Sequence, residues 1–303
     1  MESVRTRVIA QAPAKINLVL SVGPVRPDGY HELATIFHAV SLHDQVEAQH
    51  GDEISVEVDG LQADRVPTDA SNLAARAAAA VAEYTGVHAG ARLHIRKSIP
   101  VAGGLAGGSA DAAAALVAVD ALWETGLGRA EMFRLAARLG SDVPFSLEGA
   151  TALGTGRGEQ LTSVMVDGVF HWVLAVATGG LSTPAVYREF DRLRKDQDVP
   201  APAVGHDIVT ALRAGDPDRL AAALHNDLEQ AACSLEPALR TTLETGMEFG
   251  AMAGIVSGSG PTCVFLARDS DQALDLSVAL TSASVGADVV RVRGPVPGAR
   301  IVG

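Results

Sequence analysis

Residues 100–111 read Pro-Val-Ala-Gly-Gly-Leu-Ala-Gly-Gly-Ser-Ala-Asp, and four of the six residues from 103 to 108 are glycine. Glycine at this density is unfavourable inside a helix or a strand, so the segment predicts a loop. The residues before it, Arg92–Lys97, alternate as a strand does. Those after it follow a helical pattern from Ala110 to about Trp123, and a second helix is expected over Arg129–Leu139. The predicted order is therefore strand, glycine loop, helix, helix.

A glycine loop that opens a helix is typical of a phosphate site. Backbone N–H groups without side chains can approach an anion closely, and the helix adds its free N-terminal amides and its dipole. Ser109 supplies a hydroxyl for a phosphate oxygen or for Mg²⁺. The alternative is a simple tight turn. The sequence contains no Gly-Lys dipeptide, which excludes a Walker-type P-loop, and it lacks both a dinucleotide fingerprint and the protein kinase signatures.

The 303 residues are 48% hydrophobic and 20% charged, which predicts a folded protein, and the formal net charge is −12. Binding of nucleic acid through a broad basic face is not expected at that charge, although a local site can still bind an anionic small molecule. No apolar run reaches the roughly 18–20 residues of a membrane helix. Met1–Ala10 lacks the pattern of a secretory signal, so we predict a cytoplasmic location. Cys233 and Cys263 are interpreted as reduced packing residues.

Strand and helix signals are mixed along the chain, and several early strands are compatible with hairpins. This order favours an α+β fold over a doubly wound α/β sheet. The glycine-rich stretch 149–158 is a candidate domain end. We accordingly predict two domains, 1–160 and 161–303.

Lys15 and Asn17 lie two residues apart in an apolar strand, so they share one face of it. Lys15 is one of only three lysines, with Lys97 and Lys195. The pair could be an ordinary surface edge or part of a site. Asp142 follows a helix end in Gly-Ser-Asp-Val-Pro. It could cap the next turn, or it could act on a hydroxyl as a base or an orienting group.

Two further segments are candidates for the site. Tyr30 and His31 follow the turn signal Pro27-Asp28-Gly29, and they could stack on and hydrogen-bond a nucleobase or simply begin a strand. Gly258, Ser259 and Gly260 form a second glycine loop between two apolar strands, either a plain hairpin or a second wall of the site. The histidines show no zinc spacing.

Together these five segments resemble the GHMP kinase superfamily, which includes galactokinase and the homoserine, mevalonate and phosphomevalonate kinases. The likeness runs in order along most of the chain, and Pro100–Asp111 and Gly258–Thr262 resemble two of its motifs. The resemblance implies an N-terminal domain like ribosomal S5 domain 2 and a ferredoxin-like α/β C-terminal domain, with the active site in the cleft between them. It also implies ATP and Mg²⁺ as cofactors, with no dedicated metal site beyond a contact to Ser109.

Within the superfamily, Ala14–Leu18, Asp28–His31 and Gly140–Pro144 are close to the kinases whose acceptor is a methylerythritol joined through a diphosphate to cytidine. That likeness implies ATP-dependent phosphorylation of the acceptor's 2-hydroxyl in non-mevalonate (MEP) isoprenoid biosynthesis. Other small-molecule kinases of the superfamily, acting on mevalonate, homoserine or a sugar, are the alternative. A non-catalytic nucleotide sensor is another. No nucleic-acid or membrane partner is expected, and the chain is expected to be a monomer or a weak homodimer.

The same likeness assigns roles residue by residue. Lys15 and Asp142 would be catalytic, and the acceptor would be bound by Asn17, Tyr30, His31, Thr183, Pro184 and Tyr187. ATP would be bound by Asn72, Leu73, Lys97, Pro100, Val101, Ala102, Gly103, Gly104, Leu105, Ala106, Gly107, Gly108 and Ser109. Gly258, Ser259 and Gly260 would form the second loop. The sequence departs from the family pattern at Ala110, where many relatives have a second serine, at Ser141 and at Tyr187.

Overall fold

The structure is a computed structural model that describes residues 6–177, 179–195 and 197–303. Residues 1–5, part of the Met1–Ala10 segment that lacks a secretory-signal pattern, lie outside the described residues. Among the described residues there are two β-sheets with helices packed against them, which agrees with the predicted α+β class. No helix in the described part of the chain is long and apolar enough to cross a membrane.

The larger sheet is built on two long antiparallel strands. β1 (Arg7–Val25) pairs with β2 (His31–Gly51), and the turn between them is the one predicted at residues 27–29. The sequence predicts a break in β1 at Pro13. The strand is instead continuous and shifts its register between Pro13 and Ala14, because a bulge accommodates a residue without a backbone N–H.

The other strands of this sheet join β1 and β2 in the order β12-β1-β2-β4-β3, with β5 on β2, β6 on β5 and β8 on β1. Their bounds are β3 (Ser55–Gly60), β4 (Gly90–Lys97), β5 (Thr151–Gly156), β6 (Gln160–Ser163), β8 (His225–Asn226) and β12 (Arg300–Ile301).

Four helices of the first half complete this part of the fold: α1 (Leu73–Thr85), α2 (Gly107–Trp123), α3 (Arg129–Leu139) and α4 (Val143–Glu148). Asn72 caps α1 as its sequence predicts, since its side chain accepts hydrogen bonds from the N–H groups of Ala74 and Ala75. Helix α3 has the predicted bounds. Helix α2 begins at Gly107 rather than Ala110, so the last two glycines form its first turn. Its alanine-rich surface is buried over most of its length.

The smaller sheet has the strand order β11-β7-β10-β9 and is antiparallel throughout. Its strands are β7 (Phe170–Val176), β9 (Ala253–Val256), β10 (Cys263–Ala267) and β11 (Asp288–Gly294). The helices of this half are α5 (Thr183–Leu193), α6 (His206–Ala214), α7 (Pro217–Ala223), α8 (Glu229–Leu235), α9 (Ala238–Glu248) and α10 (Ser270–Ser282). Cys233 and Cys263 are free and buried here, as predicted.

The two sheets do not divide at one point of the chain. The predicted boundary between residues 160 and 161 falls inside β6, which pairs with β5 of the larger sheet. The short strands β8 and β12 come from the second half and pair with β1. Segments from the second half of the chain are therefore part of the larger sheet.

Candidate active site

One cleft of about 740 Å³ contains most of the residues singled out in the sequence. That volume lies within the usual range for small-molecule sites. Its walls come from β1, β2, the glycine loop with the start of α2, the start of α4, the start of α5, and the loop between β9 and β10. Predicted site residues that line it are Lys15, Asn17, Tyr30, His31, Ala102, Gly103, Gly104, Ala106, Gly107, Gly108, Ser109, Asp142, Thr183, Pro184, Tyr187, Gly258 and Ser259.

The glycine loop is strained as it approaches α2. Ala102 and Ala106 have φ of 55° and 59°, values that an L side chain rarely adopts, and Gly104 has φ of 76°. Ala106 is the N-cap of α2 and makes no side-chain capping bond. The first N–H groups of the helix are therefore left for a ligand at the cleft, where Gly107, Gly108 and Ser109 lie.

The second glycine loop packs directly against the first. A Cβ on Gly104 would lie 2.9 Å from the carbonyl oxygen of Gly260 and would collide with that of Ser257. The Ser257 hydroxyl donates a hydrogen bond to the Gly104 carbonyl at 3.3 Å. The Ser259 hydroxyl is 2.9 Å from that of Thr183 at the start of α5. The segment thus joins two antiparallel strands as a hairpin does, and Gly258 and Ser259 also line the cleft.

Lys15 is held at the centre of the cleft. Its Nζ donates to Asn17 Oδ1 at 2.7 Å and to the Gly104 carbonyl at 3.0 Å, and it lies 5.8 Å from the centroid of the Phe37 ring. Only 6% of the residue is exposed. Burial lowers the pKa of the Lys15 ammonium below its usual 10.5, and the charge of Asp142 opposes that shift. The surface-edge alternative for Lys15 is therefore wrong.

Asp142 immediately precedes α4, yet its side chain makes no capping hydrogen bond. Its carboxylate instead faces the cleft, with Oδ2 3.9 Å from Lys15 Nζ and 32% of the side chain exposed. Burial raises the pKa of the Tyr187 hydroxyl, and the Asp142 charge raises it further. Asp142 is therefore a carboxylate available to a ligand beside a fixed cation.

The other end of the cleft is aromatic. Tyr30 is 56% exposed, and the Arg157 guanidinium lies 5.2 Å from its ring centroid. His31 is buried, and its ring stacks on Tyr187 with centroids 5.2 Å apart. Its Nδ1 lies 2.8 Å from the Gly23 carbonyl and its Nε2 lies 3.3 Å from Asp191 Oδ1. Both ring nitrogens thus already have protein partners, which the sequence did not indicate.

Seven predicted site residues do not line the cleft: Asn72, Leu73, Lys97, Pro100, Val101, Leu105 and Gly260. Lys97 is the clearest correction. It was expected to contact the nucleotide, but it is buried beneath the loop and paired with Asp44 and Asp111. Leu105 is fully buried and contributes a carbonyl that accepts from the Lys15 backbone N–H at 3.1 Å. Leu73 lies beside the first turn of α2, with its Cδ1 3.4 Å from the position that a Cβ on Gly108 would occupy.

The structure adds cleft residues that sequence reasoning missed. Thr35 accepts from Asn17 Nδ2 at 2.8 Å and donates to the Val19 carbonyl at 2.6 Å, so it sets the orientation of the Asn17 amide. Arg157, Arg188 and Asp191 also line the cleft. The strand partner of Asn17 is Phe37, two residues from Thr35, so the pairing of β1 with β2 could have indicated Thr35. The arginines carried no local signal.

The donor set fits a magnesium nucleotide. The free amides at the start of α2 suit phosphate oxygens. Mg²⁺ prefers hard oxygen ligands and usually keeps waters and phosphates alongside one or two protein groups. In the cleft, the Ser109 hydroxyl and the Asp142 carboxylate are oxygen donors that could serve as such ligands.

Comparison with known proteins agrees with this arrangement. Residues 72–150 match the family "GHMP kinases N terminal domain", and residues 208–285 match "GHMP kinases C terminal". A Thermobifida fusca protein named 4-diphosphocytidyl-2-C-methyl-D-erythritol kinase is 54% identical over 305 residues, which cover 98% of this chain and 99% of the relative.

Solved structures give the same grouping. A crystal structure of 4-(cytidine 5'-diphospho)-2C-methyl-D-erythritol kinase superposes with a TM-score of 0.78 at 32% identity, covering 97% of this chain and 99% of the other. A homoserine kinase from Cytophaga hutchinsonii has a TM-score of 0.76 at 17% identity, covering 100% and 99%, and shares the fold alone. Because more than half of the residues are identical along nearly the whole length, the chain belongs to the 4-diphosphocytidyl-2-C-methyl-D-erythritol kinase family of GHMP kinases.

Proposed function

We propose that the chain transfers the γ-phosphoryl group of ATP to the 2-hydroxyl of 4-diphosphocytidyl-2-C-methyl-D-erythritol in the non-mevalonate isoprenoid pathway. The products are the 2-phosphate and ADP. The single observation that carries the proposal is the placement of Lys15 and Asp142, with Nζ and Oδ2 3.9 Å apart, in the same cleft as the glycine loop and Tyr30.

Phosphoryl transfer proceeds through a loose transition state, so the site acts mainly by positioning and by charge stabilisation. The amides of Gly107, Gly108 and Ser109 hold the ATP phosphates at the start of α2. Asp142 accepts a hydrogen bond from the acceptor hydroxyl and takes its proton as the oxygen bonds to the γ-phosphorus. The bond to the ADP oxygen breaks in the same displacement. Lys15 stabilises the charge on the transferred group. Mg²⁺ bound to ATP would neutralise phosphate charge beside Ser109.

Specificity for the acceptor resides at the aromatic end. Tyr30 offers an exposed ring on which cytosine can stack, in the same cleft as the stacked rings of His31 and Tyr187. A ring nitrogen of His31 is available to the base only if Asp191 moves away from Nε2. Arg157 and Arg188 supply cationic groups for the acceptor's diphosphate in a chain of net charge −12.

The test measures ADP release from ATP and Mg²⁺ with the cytidylyl acceptor, beside mevalonate, homoserine and galactose. We expect turnover with the cytidylyl acceptor only. Asp142→Asn should lower kcat by about 10²–10⁴-fold, because the proton acceptor is lost while the shape is kept. Turnover with another acceptor would assign the chain to the kinases that act on that acceptor instead. Nucleotide binding with no turnover would favour a sensor.

Tyr30→Ala examines the substrate assignment separately from the chemistry. Stacking is worth about 1–3 kcal/mol per base and is made in the ground state, so KM for the cytidylyl acceptor should rise while kcat holds. Tyr84→Ala is the matched control, because Tyr84 is also exposed, at 46%, but lies outside the cleft. A fall in kcat with KM unchanged would contradict the stacking role.

A further inference from the structure

We propose that Lys97, Asp44 and Asp111 form a buried ionic clamp that fixes both ends of the ATP loop, residues 98–107, and that they are positioning residues for nucleotide binding. The proposal rests on the proposed function only in taking ATP as the ligand of this loop. None of the three residues lines the cleft, so they act through the backbone that does.

The clamp joins three separate elements. Lys97 is the last residue of β4, Asp44 belongs to β2, and Asp111 lies in the second turn of α2. Lys97 Nζ pairs with Asp44 Oδ2 and, at 2.7 Å, with Asp111 Oδ2. The three residues are 4%, 0% and 3% exposed, so solvent does not screen these ion pairs.

Asp44 fixes the entry to the loop. Its Oδ1 accepts hydrogen bonds from the N–H groups of Ser98, at 2.6 Å, and Ile99, at 2.8 Å. These are the first two residues after β4, so the carboxylate anchors the chain as it leaves the strand. Hydrogen bonds to an ionised acceptor are about twice as strong as neutral ones.

Lys97 and Asp111 fix the exit. Asp111 ties the beginning of α2 to the strand through Lys97. A Cβ on Gly107 would lie 3.2 Å from Lys97 Nζ and 3.2 Å from Ile99 Cγ2, so the first residue of the helix rests directly on the clamp. The backbone that presents its amides to phosphate is thus supported from beneath by a single cation.

The loop between these ends needs such support. Ala102 and Ala106 occupy the left-handed region, and residues held there persist only where the surrounding structure imposes it. The clamp is also poorly explained by stability alone. Buried ion pairs often contribute less than apolar packing would, and Asp111 Oδ1 has no hydrogen-bond partner in the part of the chain that the structure describes. A role in ordering the ATP loop accounts for an ionic cluster being buried at this position.

The experiment measures binding directly, by calorimetry, for two ligands: the magnesium complex of a non-hydrolysable ATP analogue, and the cytidylyl acceptor. In Lys97→Met we expect the Kd for the nucleotide to rise on the order of 10–100-fold, as expected for a displaced binding group. The Kd for the acceptor should stay within about twofold. Lys195→Met is the matched control, since Lys195 is exposed and outside the cleft, and both affinities should be unchanged there.

The double variant Lys97→Met/Asp111→Asn separates position from charge. It removes Lys97 together with the buried Asp111 carboxyl group, whose pKa burial raises to about 8, so the single variant's unpartnered carboxyl is absent while the link between strand and helix is lost. We expect nucleotide affinity to remain reduced in it. Wild-type affinity in the double variant, or in Lys97→Met, would overturn the clamp and leave the proposed function intact.

A measurement on the wild-type chain keeps the proposal testable if both variants fail to fold. Without nucleotide, the amides of Ser98 and Ile99 should exchange with deuterium far more slowly than those of Ala102 and Gly103. Fast exchange at Ser98 and Ile99 would show that the loop entry is not held and would overturn the clamp. Failure of the wild type to bind the ATP analogue at all would overturn the clamp and the proposed function together.

Discussion

The surroundings of Lys15 and Lys97 show how one residue type serves two purposes in the same half of the molecule. Both lysines are almost fully buried, at 6% and 4% exposure. Lys15 faces the cleft with one carboxylate at 3.9 Å, and burial lowers its pKa. Lys97 lies below the loop between two carboxylates. Burial acts to lower its pKa too, but Asp111 and Asp44 outweigh it, and the net shift is upward.

The two lysines differ in how much of their charge is available to a ligand. Lys97 is neutralised by its own protein partners, so it can hold backbone in place but cannot attract phosphate. Lys15 is incompletely paired, so an incoming phosphoryl group can act as a further anionic partner for its ammonium group. Incomplete pairing of a buried cation costs folding free energy, and functional sites commonly carry such a cost.

The largest expected effect comes from Lys15→Met. kcat should fall by about 10²–10⁴-fold, because the cation that stabilises the transferred group is lost. The unfolding free energy should rise by roughly 1 kcal/mol, because a poorly paired buried charge is replaced by an apolar side chain of similar size. Steady-state kinetics and thermal unfolding check the two parts, with Lys195→Met as the control. A protein less stable than wild type would contradict the account of Lys15 pairing.

Lys97→Met should have the opposite effect on stability. Removing the cation leaves the buried carboxyl groups of Asp44 and Asp111 without their ionic partner, and breaking a buried pair costs about 3–5 kcal/mol. Urea unfolding at pH 7 measures this loss. Because the pKa of Lys97 is raised in the folded state, its charge contributes stability that is fully present below pH 10.5. That stability is lost only as the pH rises through the higher pKa of the folded state. A loss no greater than that of Lys195→Met would remove the contrast between the two lysines.

Gly258→Ala tests whether the position of Lys15 matters, without altering any charge. A Cβ on Gly258 would lie 3.2 Å from Lys15 Nζ and 3.1 Å from Asn17 Oδ1, so it should push the lysine and lower kcat roughly 10–100-fold. Gly126→Ala is the matched control. Its φ of 65° imposes the same backbone strain as the 57° of Gly258, but nothing lies within 4 Å of the new methyl group. Equal losses of kcat in the two variants would mean that strain, not displacement of Lys15, is responsible.

The smallest effect is a pH dependence. Since burial lowers the Lys15 pKa below 10.5, the charged form, which we propose to act in catalysis, is lost at a pH below that value. kcat should be about half of its maximum when the pH equals the pKa of Lys15 in the folded protein, and it should continue to fall at higher pH. The folding cost of the charged lysine is relieved over the same window, up to pH 10.5. A kcat that stays flat to pH 10.5 in saturating substrate would contradict a role for the Lys15 charge.

Local sequence patterns were sufficient for much of the fold. Helix α3, the Asn72 cap and the turn before Tyr30 follow from short-range signals that the structure confirms. The glycine loop predicted a phosphate site because such dense glycines have few other uses, and the loop does line the cleft. Pairing of Lys15 with Asn17 followed from the period of a strand, which places alternate residues on one face.

Long-range contacts were beyond such patterns. Asp44 and Asp111 are 53 and 14 residues from Lys97 in sequence, and Arg157 meets Tyr30 only after β5 pairs with β2. The sequence placed Lys97 next to a phosphate loop and so suggested a ligand contact. It could not show that Lys97 already forms ion pairs with Asp44 and Asp111. The approach of these two residues depends on the register of β2 with β4 and on the packing of α2.

The residues therefore specified the chemistry of the site, since the amides, the carboxylate, the cation and the aromatic ring follow from residue type and local geometry. Tertiary packing determines which of the two buried lysines lines the cleft. That choice depends on how charges from distant strands are brought into contact and on how completely each is paired, which are properties of the packed chain and not of any short segment.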